Sequence, residues 1–429
     1  MNRKQHSFVP VFIVVILVFV CLVHCPTASA EFRAAIAVRD VTPNSFLPVS
    51  GGVGPSNPTT RIFGRLTVRA MVLENSGTRV AICSTDFLGF PGVLCDKVRA
   101  KVPSIPPQNI LIGATHTHSA PDCYGFPDRT GTSALDLEYV NNVCEKLAEA
   151  INEAIGNLQP ARIKIATGNA KGKIAYNYYA ERLYDPRCNV IQALDTKGKP
   201  FITLVNYACH PEVIGSDQGI LSPDFVGPLY DRIKERAGGT GIFMNSAIGG
   251  MVTADCRGPD GKDQRTWDEC LRIGRLLADE SLRIVSDARV LSNPHLYCAN
   301  TKIVFPVDSE LLRAVVQASP LSFELEDTHN ISTQVNVVNI ANAQLLTIPG
   351  EALPNIGYYL KRKMHGSHNF LFGLTNDAFG YILTKEDWDS FDRYEYITRT
   401  CLGEMTGEIF TNEALKFIDN CPRPIRFAD

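Results

Sequence analysis

Between residues 31 and 421, short β-branched runs alternate with amphipathic stretches, and no repeat, low-complexity tract or Pro/Gly/Ser-rich linker interrupts them. That alternation is the tightest constraint on the fold, since a period of two suits a half-buried strand and spacings of three and four suit one face of a helix. Residues 66–73 and 79–83 read as paired strands around Asn75-Ser76-Gly77, and 109–114 as an apolar strand ending in a polar cluster. Over 135–158, Val140, Val143, Leu147, Ile151, Ile155 and Leu158 make one helical stripe. Strands follow at 161–167, 189–195 and 201–208, then a helix at 224–237 closed by Gly238-Gly239, a short strand at 241–244 and a helix at 266–286. A hairpin at 335–340 and 344–348, a helix at 352–364, a strand at 369–374 and a helix near 403–418 complete the pattern. The expected fold is α/β, a mixed β-sheet core flanked by helices, forming a single large domain over 31–429 with polar clusters at strand ends.

The first 30 residues are set apart from this pattern. Arg3 and Lys4 precede an apolar stretch from Val9 to Val23, and Ala28-Ser29-Ala30 offers small residues for signal peptidase. A signal peptide at 1–30 predicts an exported protein (secreted, periplasmic or in the secretory-pathway lumen) that begins at Glu31. A retained anchor is the alternative, but the apolar run is shorter than the roughly 20 residues a spanning helix needs. A lipid-attached start at Cys25 has His24 as a poor small-residue neighbour. No later segment is long and apolar enough to span a bilayer. Loss of Arg3 and Lys4 takes the net charge from −3 to about −5, which leaves no basic footprint for nucleic acid and disfavours electrostatic attachment to anionic membranes. Thirteen cysteines, two of them in the leader, show no C-x-x-C pair. Most are expected to be buried apolar residues, with a few bridges allowed by export. Oligomeric state is not legible.

Four polar clusters end apolar strands. In Thr115-His116-Thr117-His118-Ser119-Ala120-Pro121, His116 and His118 lie two apart and project to one side of extended chain. Two imidazoles on one face suit a metal ligand with a proton-transfer group, or two ligands, or simply two surface histidines. His210 ends Leu204–Cys209 just before Pro211, where a hydrogen-bonded core histidine is the plain alternative. Glu351 follows Ile348-Pro349-Gly350 at a helix start, where the dipole alone favours a carboxylate. Tyr381 follows Asn376-Asp377-Ala378-Phe379-Gly380 and would ordinarily be read as packing.

The arrangement of these clusters resembles the neutral ceramidase family. Its T-H-T-H-S-x-P pattern is similar to residues 115–121, and its strand-ending V-H followed by I-S-x-D-x-x-G resembles His210 and then Leu221-Ser222-Pro223-Asp224-Phe225-Val226-Gly227. An N-x-G segment resembles Asn245 to Gly250, P-x-E matches Pro349-Gly350-Glu351, and N-x-x-x-x-Y-x-x-T-x-E-E resembles Asn376, Tyr381, Thr384, Glu386 and Asp387, with a later Tyr394-Glu395. The matches run in family order from about 33 to 410. The resemblance implies a Zn2+ ion held by His116, His210, Glu351 and Tyr381, with His118 facing the substrate and Tyr381 also steadying the oxyanion. It implies a lipid or other small-molecule amide substrate contacted by Asn177, Tyr178 and Asn245. Asp224 is the expected acceptor behind a metal-bound histidine, with a helix N-terminal role as its alternative.

The chain also departs from the family. Where members carry Asn-Arg, it has Asn177-Tyr178, with Arg182 five residues beyond Asn177. The C-terminal immunoglobulin-like domain and the long insert of full-length ceramidases have no counterpart. These departures favour an amide substrate, such as an N-acyl lipid, over ceramide itself. A zinc esterase or deacylase, or a non-catalytic metal-stabilised binding protein, is the competing reading. A serine hydrolase built on Ser246 lacks the G-x-S-x-G context.

Overall fold

A computed structural model describes Met1 and residues 31–128, 130–323 and 325–425. The expected signal peptide lies outside the described residues. The first hairpin forms as its turn chemistry dictates. Thr67–Asn75 pairs with Thr78–Thr85 across a two-residue turn in which Ser76 (φ 49°) and Gly77 (φ 81°) are both left-handed, the geometry that matches strand twist.

Three main sheets result, of five, four and four strands. The first runs Ile110–Ala114, Thr78–Thr85, Thr67–Asn75, Arg33–Asp40 and Gln159–Pro160. The second runs Thr240–Asn245, Pro200–Tyr207, Arg187–Leu194 and Arg162–Asn169, and the third Leu296–Pro306, Asn330–Ile340, Ala343–Thr347 and His368–Phe372. Their inner faces meet in one apolar core to which Ile82 and Leu111, Leu204 and Ile242, and Leu345 and Phe370 contribute. Each outer face is covered by helices. Gly92–Arg99 and Leu137–Gly156 cover the first, Val226–Ala237 and Trp267–Val285 the second, and Pro354–Lys363 and Thr406–Asn420 the third.

Within this antiparallel framework each sheet contains one parallel pair: 78–85 with 110–114, 200–207 with 240–245, and 343–347 with 368–372. A parallel pair requires a crossover, and here each crossover carries one of the covering helices. The helix expected at 224–237 starts at Val226 because Asp224 is left-handed (φ 54°), and it stops at Gly238 (φ 75°). All eleven described cysteines are unpaired, and all but Cys298 are buried. The apolar reading of the thiols therefore holds, and the expected bridges do not form among the described residues. None of the described helices is long and apolar enough to cross a membrane.

Candidate active site

Every segment that builds the site leaves a parallel strand at its C-terminal end. His116 follows Ile110–Ala114, His210 follows Pro200–Tyr207, Glu351 follows Ala343–Thr347, and Tyr381 follows His368–Phe372. Hydrogen bonds knit these ends across the sheets: Ala114 N–H to Leu374 O (3.1 Å), Asn376 N–H to Ile112 O (2.7 Å) and Gly373 N–H to Asn245 O (3.0 Å). Glu351 and Tyr381 then pair in a short parallel ladder, which brings the two side chains to one edge.

Both buried imidazoles are anchored on the same nitrogen. His116 Nδ1 meets the carbonyl oxygen of Leu88, and His210 Nδ1 meets that of Val252 at 2.9 Å. A carbonyl only accepts, so each Nδ1 carries a hydrogen, and in the neutral ring each Nε2 has its lone pair free. The two Nε2 atoms point at Glu351 Oε2, at 3.5 Å from His116 and 3.0 Å from His210. Burial pushes the His116 pKa down to about 3, so that ring is neutral at ordinary pH. Burial also pulls on His210, but its bond to Glu351 and the nearby carboxylates outweigh it and raise its pKa. Burial would raise Glu351, yet the two histidines hold it below the usual carboxylate range. Three electron-pair donors this close repel unless a proton or a cation sits among them. Two neutral imidazoles and a carboxylate are an acceptable donor set for a divalent metal.

His118 shares the cluster. Its ring lies edge-on to that of His116, centroids 4.8 Å apart, and His116, His118 and His210 offer ring nitrogens all within 4.8 Å of one another. Its Nδ1 is 3.5 Å from Glu212 Oε2, and its buried Nε2 has no hydrogen-bond partner. Burial pushes its pKa down to about 3. Tyr381 is buried beside them, its hydroxyl donating to Met251 Sδ at 3.1 Å, and burial raises its pKa well above the ordinary value.

The other sequence-selected residues take different places. Asn245 is fully buried, and its amide spans both histidine segments. Nδ2 donates to Thr115 O (2.8 Å) and Cys209 O (3.2 Å), while Oδ1 accepts from the N–H groups of Cys209 and Ser246. Such an amide has no capacity left for substrate. Asn177 is likewise committed to its own loop, donating to Leu183 O and accepting from Tyr179 and Ala180 N–H. Asp224 does not bond to a histidine. Its carboxylate accepts from Ile214 and Phe225 N–H (2.8 Å each), and backbone carbonyls take the place expected for it behind His116 and His210. Tyr178 is exposed at the rim, and Arg182 lines neither cavity of the site. Ser246 Oγ is buried and unpartnered, with no histidine bonded to it among the described residues.

His116, His118, Glu351 and Tyr381 line a cavity of about 520 Å³ whose walls are largely aliphatic and aromatic, with Leu88, Phe126, Val307, Leu312 and Phe323 among them. Sequence reasoning missed several residues here. Glu212 stands two positions after His210, close enough in the chain to have been noticed, whereas Met251, Tyr124 and Tyr396 reach the cavity only through folding.

No protein-family model matches the chain. Among curated proteins it is similar to neutral ceramidase A of Dictyostelium discoideum, 25% identical over 272 residues, covering 56% of this chain and 38% of that protein. Neutral ceramidase of Pseudomonas aeruginosa is 23% identical over 217 residues, covering 46% of this chain and 32% of its own length. The matched segments thus span about a third of each relative's length. In structure, the neutral ceramidase from Pseudomonas aeruginosa aligns with a TM-score of 0.75 at 18% identity, over 93% of this chain and 76% of that one. A ceramidase complexed with C2 aligns with a TM-score of 0.72 at 17% identity, over 93% and 77%. The chain is therefore similar in sequence to neutral ceramidases over about half its length, and it shares the fold of the solved neutral ceramidase over nearly all of it.

Proposed function

We propose that this protein hydrolyses an amide bond of an N-acyl lipid at a zinc site held by His116, His210 and Glu351, with Tyr381 completing the set. The observation that carries the reading is the convergence of two oriented Nε2 lone pairs on the Glu351 carboxylate at the wall of an apolar cavity. The similarity to neutral ceramidases supports the amide substrate. When bound, zinc supplies Lewis acidity, lowering the pKa of water to about 7 and polarising a carbonyl.

The chain's own residues account for the rest. The aliphatic walls hold the acyl chain and exclude water from the scissile carbonyl. As water adds its hydroxyl to the acyl carbon, the C–N bond breaks with its electron pair going to nitrogen, which needs a proton. His118 Nε2, the free polar atom here, first takes the proton that the attacking water gives up and then delivers it to that nitrogen, while Glu212, 3.5 Å behind the opposite ring nitrogen, keeps the hydrogen of the neutral ring on Nδ1. The Tyr381 hydroxyl, held neutral by its raised pKa, can donate to the developing oxyanion.

Purified protein is expected to carry about one zinc per chain, and exhaustive chelation to abolish hydrolysis of a fluorogenic N-acyl amide, with zinc restoring it. Full activity in protein verified to be metal-depleted would reject the mechanism. The spacing of the three histidines supports a second reading, in which His118 is itself a ligand. Metal content of His118→Ala separates the two, staying near stoichiometric in the first and falling in the second.

A further inference from the structure

The cleft does not end at His118. A second cavity, of about 360 Å³, adjoins the first and shares His118, Glu212, Ser216 and Met251 with it. The two lobes differ in chemistry. Beyond the shared residues, the larger is walled by side chains such as Leu88, Val307, Leu312 and Val315, while the smaller adds Tyr176, Tyr178, Asp217, Asp263 and Arg265 to small apolar groups such as Val213 and Ala254.

The charges of the smaller lobe do not cancel. Among the described residues Arg265 is its one guanidinium, and both terminal nitrogens are bound by Asp217, with a further bond to Ile214 O at 2.7 Å. Arg257 stacks over the Tyr176 ring, but its guanidinium is spent on Asp255 and Glu181. Among the described residues, Glu212 and Asp263 therefore add two carboxylates beyond the one that Arg265 pairs with. Glu212 sits at the junction, against His118, and Asp263 sits farther out and exposed.

An amide bond has two sides, and a bond cleaved beside His118 sends one side into each lobe. From this division, and resting on the amide-hydrolase reading above, we infer that the substrate carries a single long chain, on its acyl side. Its amine side is short, polar and positively charged. A second aliphatic chain in the smaller lobe would desolvate carboxylates with nothing to compensate them, and an anionic amine portion would face Glu212 and Asp263 directly. An ammonium a few bonds from the scissile nitrogen meets both.

The test is a series of amides sharing one dodecanoyl chain, with 1,3-diaminopropane, ethanolamine, glycine or dodecylamine as the amine. The mono-acylated diamine is expected to exceed the ethanolamine amide in kcat/KM by about tenfold, the contribution of a charge-assisted contact. The glycine and dodecylamine amides should fall below both. Asp263→Asn should shrink the diamine-to-ethanolamine ratio severalfold, and Asp263→Lys should invert it. Equal rates across the series, or a best rate with the glycine or dodecylamine amide, would overturn the inference while leaving the hydrolase reading standing. Calorimetric binding of the matching ketone isosteres gives a readout independent of turnover. If no amide is cleaved but the cationic isostere still binds about tenfold more tightly than the anionic one, the inference survives and the hydrolase reading falls. If that isostere does not bind more tightly, the inference fails.

Discussion

His116 holds a backbone angle (φ 73°) that few residues other than glycine adopt. It is kept there by its own N–H bonding Phe87 O at 2.9 Å and its ring bonding Leu88 O. Strain of this kind persists where the surroundings over-determine it, and here it turns the imidazole toward His210 and Glu351. Glu351→Gln keeps the shape but removes the charge that two histidines face. It is expected to lose bound metal and with it nearly all turnover, measured by metal analysis and amide hydrolysis on the same sample. His118→Ala should lower kcat by about 10²–10⁴-fold, the usual worth of a positioned proton donor. Asp224 has a different consequence. Burial raises its pKa to about 6, whereas an unfolded aspartate titrates near 4. The folded state therefore binds this proton more tightly, so its contribution to stability is complete below about pH 4 and is lost as pH rises through about 6. Asp224→Asn, which tolerates the left-handed backbone, should remove roughly 3 kcal/mol of that decline, read from denaturant unfolding at pH 4 and pH 7.

Elements meet at the site through atoms that are not ligands. Asn245 ends the strand Thr240–Asn245 and ties Thr115 to Cys209, the neighbours of His116 and His210. Asn245→Ala leaves several buried groups unpaired at about 1–3 kcal/mol each. The expected result is a lower midpoint in denaturant together with weaker metal retention, because both histidines lose their common brace. Gly249 matters by absence. A Cβ there would stand 2.1 Å from the carbonyl oxygen of Glu351, so Gly249→Ala has to displace the segment that carries the carboxylate. Most elements were legible from local pattern, since a strand such as 110–114 is an apolar run buried throughout and a helix such as 137–156 buries one continuous face. The ones sequence passed over explain themselves. Leu296–Pro306 is half exposed along its length, Arg33–Asp40 relies on small alanines for its buried positions, and Gly92–Arg99 spans barely two turns.

At the scale of the molecule, three sheets share one core and are also pinned to each other by buried polar links. One is the buried pair Lys361 Nζ to Asp185 Oδ2 at 2.9 Å, joining the helix Pro354–Lys363 of the third layer to the chain entering Arg187–Leu194 of the second. Asp185→Ala strands an ammonium in the interior and is expected to cost about 3–5 kcal/mol. A conservative apolar replacement of both partners should cost much less, which a double-variant unfolding series would read. The same scale separates what each source of information could give. The sequence by itself determined most of the segments that are strands and helices, and which strand ends carry imidazole, carboxylate and phenol, because both follow from local spacing. The tertiary structure decided that Asn245 braces rather than binds, that Leu88 and Val252 carbonyls orient the histidines in place of Asp224, and that Glu212 and Met251 join the site. Those outcomes depend on contacts between chain segments tens to hundreds of residues apart, and no local pattern records a distance that only folding creates.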